Sequence, residues 1–345
     1  MPMHPVFSTR WPVIQAPMAG VQGSAMAIAV SNAGGLGSLP CAMLGADALR
    51  KELAAIKAQT DKPFNVNFFC HTPLLSDPAR EAAWASSLTP FYQALNIEPA
   101  AQAAAASRSP FDTPMADVLG EFKPPVVSFH FGLPSAELLA RVKTWGATVL
   151  SSATTVDEAV WLEAHGADVI IAQGLEAGGH RGMFLTDDLS TQVGTFALLP
   201  QIVRAVRLPV IAAGGIADAR GVAAAMGLGA SAVQIGTAYL LCPEATTTAI
   251  HRTALQSPAA RHTALTNLFT GRPARGIMNR FMCEHGPMSD LAPAFPLATT
   301  AMMPLRQKAE SLGSGDFSPL WSGQNASGCQ QIAAAALTRQ LAGGD

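Results

Sequence analysis

A chain of 345 residues that is 49% hydrophobic and only 13% charged has enough apolar material for one large core, and its length lies in the range of a barrel carrying insertions. The formal charge of -2, with Lys and Arg scattered, provides no basic field for a phosphate backbone, which argues against nucleic acid as a partner. So little charge also leaves a homo-oligomer open, since apolar surface must be buried internally or against another subunit.

The uncharged stretches 11–46 and 221–243 are broken by Gly, Gln, Ser or Pro, so they read as buried strand and helix rather than membrane spans. The first residues, Met1-Pro2-Met3-His4-Pro5, lack the basic and then apolar pattern of a secretory signal, and the expected location is the cytoplasm. Cys41, Cys70, Cys242, Cys283 and Cys329 are odd in number and contain no C-x-x-C pair. Reduced thiols and no metal site are expected from them.

Eight short apolar runs recur in chain order at 13–16, 35–38, 64–67, 126–130, 148–153, 169–173, 210–213 and 232–235, with helical patterns between them. Buried parallel strands alternating with helices predict an α/β fold, a (β/α)8 TIM barrel. The helix over 156–165 is the best marked: Thr155 caps it, Glu158 completes a capping box and Gly166 ends it. Gly146-Ala147, Gly166-Ala167 and Gly229-Ala230 repeat one helix-to-strand joint. Two segments break the rhythm, 70–119 and 244–314, and are assigned to a small helical lid or substrate subdomain, leaving 1–69, 120–243 and 315–345 to the barrel. Disordered surface decoration would explain 100–109 as well.

Barrel active sites lie at the carboxyl ends of the strands. After the first strand, Ala16, Pro17 and Met18 leave main-chain groups free for a flat ring, and Asn67 ends the third. Gln173 ends the sixth and opens the glycine-rich loop Gly174-Leu175-Glu176-Ala177-Gly178-Gly179-His180-Arg181-Gly182. His180 has the near-neutral pKa suited to taking a proton from a carbon acid. Gly214-Gly215 after the seventh strand, with Asp218 capping the next helix, and Gly236-Thr237 after the eighth expose N–H groups to a phosphate. The guanidinium of Arg181 is a candidate clamp for an anionic nitro or carboxylate group, unless it points to solvent.

Gln15-Ala16-Pro17-Met18-Ala19-Gly20-Val21, Ser31-Asn32-Ala33-Gly34-Gly35-Leu36-Gly37, Asn65-Val66-Asn67, Ala177-Gly178-Gly179-His180-Arg181-Gly182, Ala212-Ala213-Gly214-Gly215-Ile216 and Gln234-Ile235-Gly236-Thr237 together resemble the nitronate monooxygenases, formerly 2-nitropropane dioxygenases. Leu320-Trp321-Ser322-Gly323-Gln324 is similar to that family's closing segment, so the likeness spans about residues 10–330. The resemblance implies non-covalent FMN and oxidation of alkyl nitronates by O2 to carbonyl compounds with nitrite or nitrate, propionate 3-nitronate being the implied physiological substrate. It further implies flavin contacts from Asn67, Gln173, Gly178, Gly179, Gly215, Gln234, Ile235, Gly236, Thr237 and Gln324. His180 corresponds to the catalytic histidine, which deprotonates the carbon beside the nitro group of a neutral nitroalkane and is not needed for a nitronate.

The chain has only two tyrosines, so Phe281 or Phe295 is expected where the family places a pocket tyrosine. Three rivals share parts of the pattern: an FMN-dependent enoyl-acyl-carrier-protein reductase, an NAD(P)H:quinone reductase, and a non-catalytic barrel that binds FMN or another phosphorylated ligand. An IMP dehydrogenase type is disfavoured because the loop after the sixth strand has no cysteine.

Overall fold

The apolar runs form strands because their residues are buried on both faces, as in a sheet wrapped by helices. In the computed structural model, which describes residues 6–73, 76–98 and 108–344, these are β1 (Val13–Gln15), β2 (Gly37–Pro40), β3 (Phe64–Phe69), β4 (Val126–His130), β5 (Thr148–Ala153) and β6 (Val169–Gln173). There follow the short β7 (Gly179–His180), then β8 (Val210–Ala213), β9 (Ala232–Ile235), β10 (Thr263–Thr266) and β11 (Ala274–Ile277). Residues 1–5 and the 100–107 part of the alanine-rich stretch lie outside the described residues.

The main sheet runs in the order β1-β9-β8-β6-β5-β4-β3-β2, all parallel. Its ends meet: Gln15 N–H donates to the Leu36 carbonyl at 3.0 Å and Leu36 N–H to the Val13 carbonyl at 2.9 Å, which closes the barrel. The fold is the expected TIM barrel.

Five of the eight predicted strands have the expected bounds. β2 begins at Gly37 rather than 35 because Gly34 and Gly35 are used to end the helix Ser24–Asn32, Gly35 N–H donating to the Val30 carbonyl at 3.1 Å. That helix then crosses so closely that a Cβ on Gly37 would lie 2.0 Å from the Ala27 carbonyl oxygen, a separation no side chain permits. β3 runs on to Phe69 because Phe68 and Phe69 pair with Phe129 and His130.

Side chains from neighbouring strands, among them Ile14, Leu150, Ile171 and Ile211, fill the barrel, and Phe7 packs with them. Two further cores lie between strands and outer helices. The helix Thr113–Phe122 runs through position 120 and buries Ala116, Val118 and Leu119 in one of these barrel cores. The segments 70–119 and 244–314 share a core of their own: Trp84, Leu88 and Phe91 from the first pack with Leu268, Phe269 and Phe281 from the second. The second segment adds β10 and β11 to its helices, and β7 joins them antiparallel.

Thr155 caps the helix Val156–Ala164, its hydroxyl accepting from Glu158 N–H at 3.2 Å. The predicted return bond of the capping box is replaced. Glu158, fully buried, instead accepts from Thr154 N–H (2.6 Å), the Thr154 hydroxyl (2.7 Å) and Phe184 N–H (2.6 Å). Among the described residues no helix is long and apolar enough to cross a membrane, and no cluster of His, Cys, Asp and Glu has the makings of a metal site.

Candidate active site

One cavity opens at the carboxyl ends of the strands, and nearly every residue picked out from the sequence lines it. Ala16, Pro17 and Met18 come from the end of β1, Asn67 from β3 and Gln173 from β6. Gly178, Gly179 and His180 come from the loop after β6, Gly214 and Gly215 from the turn after β8, and Gln234, Ile235, Gly236 and Thr237 from β9 and its turn.

At one end of the cavity the backbone forms a cradle. Gly214 and Gly215 have φ of +119° and +74°, which a larger residue tolerates poorly. Any Cβ on Gly214 would also sit 2.8 Å from the Thr195 hydroxyl. The helix Ala219–Gly227 starts just beyond, capped as expected by Asp218, which accepts from Gly221 N–H at 2.8 Å. A 3-10 helix, Thr237–Leu241, starts at the second glycine turn. The closing segment stitches the two turns together, Gly323 N–H donating to the Thr237 hydroxyl (2.9 Å) and the Asn325 amide to the Gly215 carbonyl (3.0 Å).

At the other end sits His180. β7 pairs it with Ala274 of β11, so the histidine loop is stapled to the second insertion. Gln173 holds the loop from below: its Nε2 donates to the His180 carbonyl at 3.0 Å and its Oε1 accepts from Gly182 N–H at 2.7 Å. The His180 ring lies 3.0 Å, Nε2 to Oγ1, from Thr270. Around it stand Phe295 (5.4 Å between ring centres), Trp321 (5.6 Å), Phe131 (6.1 Å) and Phe69 (6.2 Å). Beneath it His130 Nδ1 lies 3.0 Å from the Ser152 hydroxyl and Nε2 3.2 Å from the His180 carbonyl.

Burial holds His180 well below the usual histidine pKa, and the positive charges of Arg108 and Arg272 act in the same sense. Burial likewise brings His130 down to about 3 and His71 to about 4. A desolvated imidazole among guanidinium groups is neutral at pH 7, free to accept a proton and unfavourable to leave charged unless an anion is beside it.

Two expectations are corrected, and a third is narrowed. Arg181 is fully buried and does not line the cavity; its guanidinium donates to Gln192 Oε1 (3.0 Å) and to the carbonyls of Gly174 (2.7 Å) and Gln173 (2.8 Å). It therefore serves the loop and is not turned toward a ligand. Gln324 is exposed outside the cavity, where its N–H donates to the Glu176 carbonyl at 2.9 Å; the neighbouring Gly323 does the lining. Of the two phenylalanines, Phe295 faces His180, whereas Phe281 belongs to the core of the insertions.

Several lining residues were not singled out from the sequence. His130 and Ser152 lie at the ends of β4 and β5, where the rule that found Asn67 and Gln173 applies equally. Arg108 lines the cavity too, and Thr270 reaches His180 from the second insertion; long-range packing places both and no local pattern marks them, whereas Trp321 stands in the closing segment and Phe295 is one of the two phenylalanines expected in the pocket.

Fold and site together define a TIM barrel whose cavity joins a glycine-lined backbone cradle, on the turns after the last two barrel strands, to a buried neutral histidine across the mouth. Residues 1–343 match the family model described as nitronate monooxygenase. The chain is 44% identical over 339 residues to the nitronate monooxygenase of Paraburkholderia phytofirmans, spanning 98% of this chain and 93% of that protein. It is 45% identical over 332 residues to that of Pseudomonas aeruginosa, spanning 96% and 95%. Among solved structures, a nitroalkane oxidase from Streptomyces ansochromogenes superposes with a TM-score of 0.89 at 38% identity, covering 97% of this chain and 95% of that one. FabK from Thermotoga maritima superposes at 0.71 and 28% identity, covering 97% and 93%. The chain belongs to the nitronate monooxygenase family, a family of flavin-dependent oxidoreductases that oxidise nitronates.

Proposed function

We propose that the protein binds FMN non-covalently in this cavity and uses O2 to oxidise short alkyl nitronates, propionate 3-nitronate being the best-fitting substrate. The observation that carries the reading is the pairing, in one cavity, of a glycine-lined backbone cradle at Gly214-Gly215 and Gly236-Thr237 with a buried neutral His180. The residues fit the cofactor in two respects. The cradle has glycine where a Cβ would intrude, and Gln234 Oε1 is a buried acceptor without a partner among the described residues, which a ring N–H would satisfy. Residues 16–18 and Asn67 would face the ring. Gln173 lines the cavity beside them, while both ends of its amide hold the histidine loop.

When bound, FMN supplies the electron acceptor and the route of electrons to O2. The chain's own residues do the rest. With a neutral nitroalkane, His180 takes the proton from the carbon beside the nitro group, and the resulting imidazolium is offset by the anion it has created. Positive charge from Arg108 and Arg272 favours that anion. A nitronate arrives already ionised, so His180 then only positions it. The phenylalanines and Trp321 exclude water from the reacting carbon, and the two insertions form the cover that selects what enters. Five unpaired thiols are consistent with a reducing, cytoplasmic setting.

The test is spectroscopic. Purified enzyme should show flavin absorbance bands that bleach anaerobically with propionate 3-nitronate and persist with NADH. Bleaching by NADH alone would favour the reductase readings, and no flavin at all would favour a different phosphorylated ligand.

A further inference from the structure

Among the described residues the cavity lining carries one guanidinium, that of Arg108, and one carboxylate, that of Glu176. Glu176 belongs to the cradle end and is already engaged, accepting from Thr195 N–H at 2.8 Å and from the Thr195 hydroxyl at 2.8 Å. Arg108 lies at the histidine end: its Cζ is 5.7 Å from the centre of the Phe295 ring, the same ring that stands 5.4 Å from His180.

Among the described residues two arginines keep a buried nitrogen without a hydrogen-bond partner, Arg272 at Nε and, in the cavity lining, Arg108. Its Nη1 is buried with no hydrogen-bond partner among the described residues, and the charged group acting on it is Arg306, of like sign, itself paired with Glu310 at 2.8 Å. Arg181 has its donors filled by Gln192 and two carbonyls. Arg272 stacks 4.1 Å from the Phe131 ring centre, donates to the Met183 carbonyl and does not line the cavity. A guanidinium taken out of water without a counter-charge is unfavourable, and its planar fork matches a carboxylate.

We propose that Arg108 is the specificity residue of this cavity, binding the carboxylate at the far end of a short nitronate whose nitro-bearing carbon lies beside His180. The assignment rests on the nitronate reading above and moves to Arg108 the anion-holding part that the sequence offered to Arg181. Phe295 touches both side chains, which places Arg108 and His180 at the same end of the cavity, where one short substrate can meet both.

The experiment uses the flavin-loaded enzyme and oxygen consumption with the nitronates of 3-nitropropionate and 1-nitropropane. In Arg108→Met the ratio of kcat/KM for the carboxylated over the uncarboxylated nitronate should fall by about 10- to 100-fold, the range for a hydrogen-bonded charged partner, with Arg108→Lys in between. Propionate should compete with the uncarboxylated nitronate in the native enzyme, a readout that stands even where Arg108→Met fails to fold. A ratio within about threefold of the native one, or no competition by propionate, overturns the assignment. Native enzyme that consumes oxygen with neither nitronate instead overturns the functional reading, and the assignment with it.

Discussion

Among single residues, His180 carries most of the proposed chemistry. Replacing it with Asn keeps the size and one donor but removes the base. Turnover of neutral nitroalkanes should then drop by about 10²- to 10⁴-fold, whereas pre-formed nitronate should be oxidised within about tenfold of the native rate. Oxygen-electrode assays on both substrate forms decide this, and equal losses on both would remove the proton-transfer role. The low pKa of His180 also fixes a pH dependence. An ordinary histidine would lose activity as a base below about pH 6.5; here kcat/KM for a nitroalkane should stay level from pH 8 to well below that value. Arg181, by contrast, belongs to stability. Arg181→Met leaves Gln192 Oε1 and the Gln173 carbonyl without their donor, at about 1–3 kcal/mol each, while the Gly174 carbonyl keeps Ala177 N–H, so the thermal midpoint should fall by several degrees while the preference among nitronates is unaltered. The sequence misled about this residue because a glycine-rich loop reads as exposed; only tertiary contact with Gln192 shows otherwise.

At the scale of elements, the histidine loop is a strap held at several points. Gln173 and Arg181 hold it from β6, β11 pairs with it along β7, and Glu158 anchors Phe184 just beyond. Gly178 is the tight point where the strap passes the closing segment, since a Cβ there would come within 2.5 Å of Gly323 N. Gly178→Ala should therefore push the closing segment off the cradle and lower the flavin-to-protein absorbance ratio of purified enzyme, with the fold intact by circular dichroism. The glycine turns, Asn67, Gln173 and His180 were legible because each stands at the carboxyl end of a recognisable strand or in the loop that follows it. Thr270 and Arg108 were not, for they sit in irregular segments whose route over the barrel mouth is set by the shared core of Trp84, Phe91 and Phe281.

For the whole molecule, the barrel was readable because buried parallel strands leave uninterrupted apolar runs and the helix-to-strand joints repeat, Gly146, Gly166 and Gly229 all having positive φ as expected. Misplaced bounds, such as that of β2, arose where a helix-ending turn and a strand share residues. Burial of neutral histidines has a further consequence for stability. His130, with a folded pKa of about 3, takes up a proton on unfolding at any pH between that value and about 6.5. Its contribution is thus fully present above pH 6.5 and is lost as the pH falls toward 3, by about 2 kcal/mol between pH 6.5 and 5. Thermal unfolding followed at pH 7 and pH 5 should show a fall of several degrees that is smaller in His130→Gln; an equal fall in both would contradict it.

The central claim is that one cavity joins a flavin cradle to a base acting on nitro compounds. The most direct measurement is the anaerobic absorbance spectrum of the purified enzyme during titration with propionate 3-nitronate. Flavin bands that bleach in proportion to added nitronate, after NADH has left them unchanged, are the predicted result. A flavin that bleaches with NADH and ignores the nitronate would contradict the account.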